Sequence, residues 1–159
     1  MFFRPAGPGQ AARGAAAFSD YRMALSDIQS KTRYVVEHPI NASPKILFPY
    51  LSTASGLSQW FCDDVRYVEG GGLNFVWDKE DHHAEISGQR LNKSIRFVFL
   101  SGQRQPVADP SFMEFMLDAS EVTDEVFLRI TDYTETIDAD EHQEMWEGLV
   151  STLREQVGG

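Results

Sequence analysis

The sequence predicts an α+β domain in which a curved antiparallel sheet of about seven strands wraps one long C-terminal helix, with two short helices after the first strand. Three observations predict it. An alternating run over Tyr34–Ile40 leads into two capped helical segments that end at Trp60-Phe61. Period-two segments separated by turn residues then fill the middle of the chain, up to Tyr133. The chain closes on an apolar stripe of Met145, Trp146, Leu149, Val150, Leu153 and Val157, at three- and four-residue spacing. A sheet with one apolar face and a helix with one apolar stripe bury both by packing on each other.

The elements follow in order. In the first strand, at about 32–40, Tyr34, Val36, His38 and Ile40 alternate with Val35 and Glu37. Ser43 is a good N-cap, and Pro44 stands at the first helical position, where a missing N–H costs nothing. Pro49 is expected to keep this helix short, and Thr53 or Ser52 to cap the next. Val65 and Tyr67 precede a Gly70-Gly71-Gly72 turn, and Leu73, Phe75 and Trp77 follow it. Ala84 and Ile86 precede an Asn92-Lys93 turn, with Ile95, Phe97 and Phe99 beyond. A longer loop, Ser101 to Pro110, leads to strands at Phe112–Ala119 and Val126–Tyr133. Asp138 caps the last helix, and Asp140, Glu141 and Glu144 suit its positive N-terminal end. Gly148 is expected to let this helix approach the sheet closely, and Gly158-Gly159 to end it.

A chain of 159 residues makes one domain, placed here at 31–157. Residues 1–30 are expected to be a disordered or flexible tail, because Phe2 to Ala17 is rich in Ala, Gly and Pro without a helical or strand period. No apolar run reaches the ~20 residues that span a bilayer, and no secretory signal is visible. The lone Cys62 excludes an internal disulfide. Together these point to the cytoplasm. The net charge of −10 is uneven: residues 1–104 hold 12 basic and 10 acidic side chains, whereas 105–159 hold 2 and 14. An acidic half of net −12 repels a phosphate backbone, so nucleic acid is not an expected partner. It is either a solvated face that aids solubility or a docking face for a basic protein.

Several of these segments together resemble a known family. Tyr34–Leu51 with Leu57-x-x-Trp60-Phe61, Gly71-Gly72-x-x-Phe75, Asn92-Lys93 followed by Ile95-x-Phe97-x-Phe99, and Trp146-x-x-Leu149-x-x-x-Leu153 are similar to the START-like (SRPBCC, helix-grip) superfamily. Within it they resemble the branch of the C-terminal domain of Aha-type activators of the heat-shock protein 90 ATPase, and the small stand-alone START-like proteins of Bacteroidetes-type bacteria. The resemblance covers about 31–157. It implies a ligand cavity between sheet and helix, and it also admits a chaperone-activator role. The separate N-terminal domain of the eukaryotic activators has no counterpart in this sequence.

Read in register with that family, the inward positions propose a lining of His38, Trp60, Phe75, Trp77, Ile86, Phe97, Phe99, Leu128, Asp132, Trp146 and Leu149, with Leu73, Ala84, Ile95 and Ile130 on the same faces. Such residues either line a pocket for a small hydrophobic or amphipathic ligand or fill the grip as core. His38 and Asp132 are the polar exceptions; they either bond locally or serve as the acid–base pair of a cyclase- or hydratase-type enzyme. Asp78-x-Glu80-Asp81-His82-His83 reads as a polar hairpin tip, because adjacent histidines on a strand face opposite ways and do not easily share a metal. Gly70-Gly71-Gly72 lacks the Lys-Ser/Thr of a phosphate loop, and Cys62 has no His neighbour in sequence. No catalytic motif, metal or cofactor is expected.

Overall fold

The computed structural model describes residues 30–158; the tail expected over 1–30 lies outside them but for Ser30. Strand β1 (Lys31–Ile40) is followed by helices α1 (Pro44–Ser52) and α2 (Ala54–Leu57). Strands β2 (Asp64–Tyr67), β3 (Leu73–Trp77), β4 (Glu80–Arg90), β5 (Ser94–Phe99), β6 (Phe112–Ala119) and β7 (Val126–Glu135) come next, and α3 (Ala139–Val157) closes the chain. The sheet order is β1-β7-β6-β5-β4-β3-β2, with every neighbouring pair antiparallel. The α1–α2 segment carries the chain from one sheet edge to the other. This is the helix-grip fold.

The period-two pattern becomes continuous rows across the inner face. Tyr34, Asp132, Met113, Phe97 and Ile86 are cross-strand partners in one row. Val36, Ile130, Phe115 and Ile95 form the next. The stripe of α3 lies on these rows, with Trp146, Val150 and Leu153 fully buried. Phe61 joins sheet to helix, its ring 5.4 Å from Phe75, 6.2 Å from Phe115 and 5.8 Å from Trp146. Each fully buried side chain of this size stabilises by about 1.5–3 kcal/mol relative to exposure.

The caps form where the sequence places them. Ser43 accepts from Ile46 N, Thr53 Oγ1 accepts from Gly56 N, and Asp138 accepts from Asp140 N and Glu141 N. Gly158 ends α3 with φ 87°. Three local expectations are corrected. Helix α1 is short, at 9 residues, but Pro49 lies inside it, on its exposed side, and does not end it. Its end is fixed instead by Thr53, whose hydroxyl donates to Pro49 O at 2.7 Å. Gly148 faces open space, with nothing within 4 Å of where its Cβ would stand, so it does not mediate a close approach. The glycine that does is Gly56: a Cβ there would lie 2.1 Å from Pro49 O, so its absence lets α2 fold back on α1. Finally, β4 begins at Glu80 rather than near Ala84. Only Asp78 and Lys79 form the turn, both with positive φ (54° and 62°), the two-residue geometry that matches strand twist.

Candidate functional site

The proposed lining residues divide into separate environments. Trp60, Phe75, Phe97, Leu128, Trp146 and Leu149 lie in the packed interior. Their rings meet edge to face or tilted, as in Phe75–Phe97 at 5.4 Å and Phe115–Trp146 at 6.1 Å. Trp60 also donates its indole N–H to Tyr50 O at 2.8 Å. Ile86 is 38% exposed, because β3 pairs with β4 only as far as Ala84 and leaves Ile86 without a neighbour on that side. Trp77, Phe99 and Asp132 line a cavity of about 420 Å³.

That cavity lies where the β3–β4 hairpin, the loop after β5 and the end of β7 converge. Its walls include Lys31, Asp81, His82, His83, Val107 and Tyr133. Trp77 and His82 stack across the hairpin at 3.7 Å and 11°, and Phe99 meets Trp77 at 6.3 Å and 76°. Burial pushes the His82 imidazole down to about 4, against the opposing pull of Asp81, so the ring is neutral near pH 7. His82 Nε2 and His83 Nδ1 are buried without a hydrogen-bond partner. His82 stands two residues before Ala84 and therefore shares its inward face, a relation readable from the sequence once β4 is extended to Glu80.

Asp132 is the buried carboxylate of the site, 4% exposed. Its Oδ2 lies 2.7 Å from His142 Nε2 and accepts from Trp146 Nε1 at 3.1 Å. The His142 ring stacks on Tyr34 at 3.9 Å and 18°, and the Tyr34 hydroxyl donates to Ile137 O while accepting from Ile137 N. The first turn of α3 is thereby tied to β1 and β7. His142 was not among the nominated residues; its signal is its place four residues before Trp146, on the same helix face.

The pairing of His38 with Asp132 as an acid–base couple is corrected. Asp132 pairs in register with Tyr34, and His38 with Leu128, so the two are offset by four residues, about 13 Å along the strand. His38 lies instead near the last turns of α3. Burial and the Arg154 guanidinium lower its pKa, opposed by Glu147, and its Nε2 has no hydrogen-bond partner. Arg154 itself donates twice to Pro39 O. Cys62 donates to Asp64 O, and burial pushes its thiol up to about 12. Among the described residues no cluster of three or more His, Cys, Asp or Glu side chains is placed to hold a metal. No described helix is long and apolar enough to cross a membrane.

The chain is similar to several solved structures. The solution structure of BfR322 from Bacteroides fragilis is 34% identical, with a TM-score of 0.54, covering 79% of this chain and 90% of that one. The Aha1 dimer from Colwellia psychrerythraea is 21% identical, with a TM-score of 0.63, covering 79% and 96%. XoxI from Bacillus cereus is 11% identical, with a TM-score of 0.62, covering 79% and 95%; at such identities these last two likenesses concern the fold alone. No curated protein matches the chain. The START-like superfamily domain matches residues 28–159, which contain all of the described residues, and the chain therefore belongs to the START-like superfamily.

Proposed function

We propose that this START-like domain binds a small hydrophobic or amphipathic molecule in the cavity bounded by Trp77, Phe99 and Asp132. The observation that carries the reading is a cavity of about 420 Å³ with an aromatic wall and a buried carboxylate, the size and mixture that suit a small ligand. Phe75, Phe97, Phe115 and Trp146 pack on one another in the middle of the grip, so binding takes place at its end. Native mass spectrometry of freshly purified protein, followed by lipid and metabolite extraction, tests the reading. A retained or re-bindable small molecule is expected, with shifts at the Trp77 indole and around His82 in an amide NMR titration. The reading is abandoned if no small molecule is retained or bound, or if binding leaves those signals unmoved.

A second reading is a chaperone-activator-like protein interaction. Asp140, Glu141, Glu144 and Glu147 are exposed along α3, and Glu121, Asp124 and Glu125 are exposed in the β6–β7 loop. Such an acidic surface suits a basic partner, held by contacts that weaken with salt. Co-purification with the heat-shock protein 90 chaperone at low ionic strength, lost on raising it, is the expected result. Absence of association at low salt would remove this reading.

A further inference from the structure

The polar groups around the cavity are unequal in kind. Lys31 is the single Lys or Arg among its described lining residues, and its ammonium is already engaged with Asp109 O. The Tyr133 hydroxyl donates to Asp109 Oδ1 at 2.8 Å. Two donors of the wall are thus spent on one loop residue. The lining carboxylates are Asp81, Asp132 and Glu135, of which Asp81 already accepts from Asn74 Nδ2 at 3.0 Å. An ionised carboxylate only accepts. Both hydrogen bonds made by Asp132 fall on Oδ2, so its other oxygen takes neither. His82 Nε2, on the inward face of β4, adds a buried ring nitrogen without a partner. Beside these lie Phe99 and Trp77, one face of Trp77 being taken by the stacked His82 ring; an aromatic wall can cover an apolar body and attract a cation.

From this we infer that the cavity selects an organic ammonium ion on a compact apolar or aromatic body, with Asp132 as the acceptor for its N–H groups and Trp77 and Phe99 flanking the body. A carboxylate or phosphate ligand would meet carboxylates here, and its desolvation would go uncompensated. His142 and Trp146 act as positioning residues, because they hold the Asp132 carboxylate in one orientation from α3. The inference rests on the cavity being the ligand site.

Three probes of one shape separate the two ideas: 2-naphthylmethylamine, 2-naphthylmethanol and 2-naphthoate, each titrated into the full chain at pH 7 and followed by amide and indole NMR shifts. The amine should bind at least about tenfold more tightly than the alcohol, since a hydrogen bond to a charged partner exceeds a neutral one by about that factor, and the naphthoate most weakly. Asp132→Asn should abolish the amine's advantage while sparing the alcohol. The order of the three probes on the wild-type chain keeps the test open if the Asp132 variant does not fold. Equal or tighter binding of the alcohol or naphthoate at the cavity overturns the ammonium preference and leaves the cavity reading standing. An amine preference unchanged in Asp132→Asn, where that variant folds, also overturns it. Failure of all three probes to shift the Trp77 and His82 signals overturns both.

Discussion

His142 Nε2 lies 2.7 Å from Asp132 Oδ2, with side-chain exposures of 1% and 6%, so α3 is fastened to β7 by a buried hydrogen-bonded pair at the inner edge of the cavity. The same oxygen takes the Trp146 indole N–H. Removing the carboxylate takes away the acceptor shared by the buried imidazole and the indole N–H. Asp132→Ala is expected to destabilise the domain by about 3 kcal/mol or more, as breaking a buried pair from one side does. Urea unfolding measures this, and a loss below about 1 kcal/mol would show that water or a rearranged side chain takes over.

Trp146→Ala removes the largest fully buried side chain on α3 and opens a void against Phe61 and Phe115. A cost of about 3–5 kcal/mol is expected, a large share of a typical domain stability. Equal melting temperatures for the variant and the wild type would contradict the grip as described.

Two glycines should respond in opposite senses to alanine. In Gly56→Ala the new methyl would stand 2.1 Å from Pro49 O and 2.7 Å from Tyr50 Cα, both backbone atoms that cannot step aside cheaply. A loss of about 1–3 kcal/mol follows from such overpacking. Gly148→Ala meets nothing within 4 Å in mid-helix and should gain about 0.5–1 kcal/mol. Chemical denaturation of both variants side by side decides it; a stable Gly56→Ala protein would mean that α2 can be displaced.

Acid should weaken the fold through His82. Burial lowers its folded pKa from 6.5 to about 4, so between those values the unfolded chain binds the extra proton. The contribution is complete above about pH 6.5 and is lost progressively as the pH falls toward 4. Partial exposure of the ring limits it to the order of 1–3 kcal/mol. His82→Phe should flatten this part of the stability–pH profile, measured by urea midpoints from pH 7 to 4.5; an unchanged slope would assign the acid sensitivity elsewhere.

The Cys62 thiol, pushed up to about 12 by burial, holds almost no thiolate near neutrality. Alkylation by iodoacetamide at pH 8 should be slow in the folded protein and fast in urea. Rapid labelling of the native protein would mean that the Cys62 site opens.

The architecture was legible because it is written in local periodicities. Alternation at Leu73–Trp77 and Ile95–Phe99, the Asn92 turn, and the stripe of Met145, Trp146, Leu149 and Leu153 each report which face is apolar, and one face of each must be buried. Caps at Ser43, Thr53 and Asp138 were equally readable, since capping depends on residues within three positions of one another. Tertiary structure alone decided which inward residues fill the grip and which border open space. Phe97 and Phe99 are alike in type and face, yet Phe97 is fully buried and Phe99 lines the cavity. The partner of Asp132 was hidden for the same reason. Strand spacing suggested His38, whereas register set Tyr34 opposite Asp132, and α3 delivered His142 from ten residues away. Periodicity specifies the direction of a side chain, but its partner depends on how two elements cross, and that emerges only when the sheet closes on the helix.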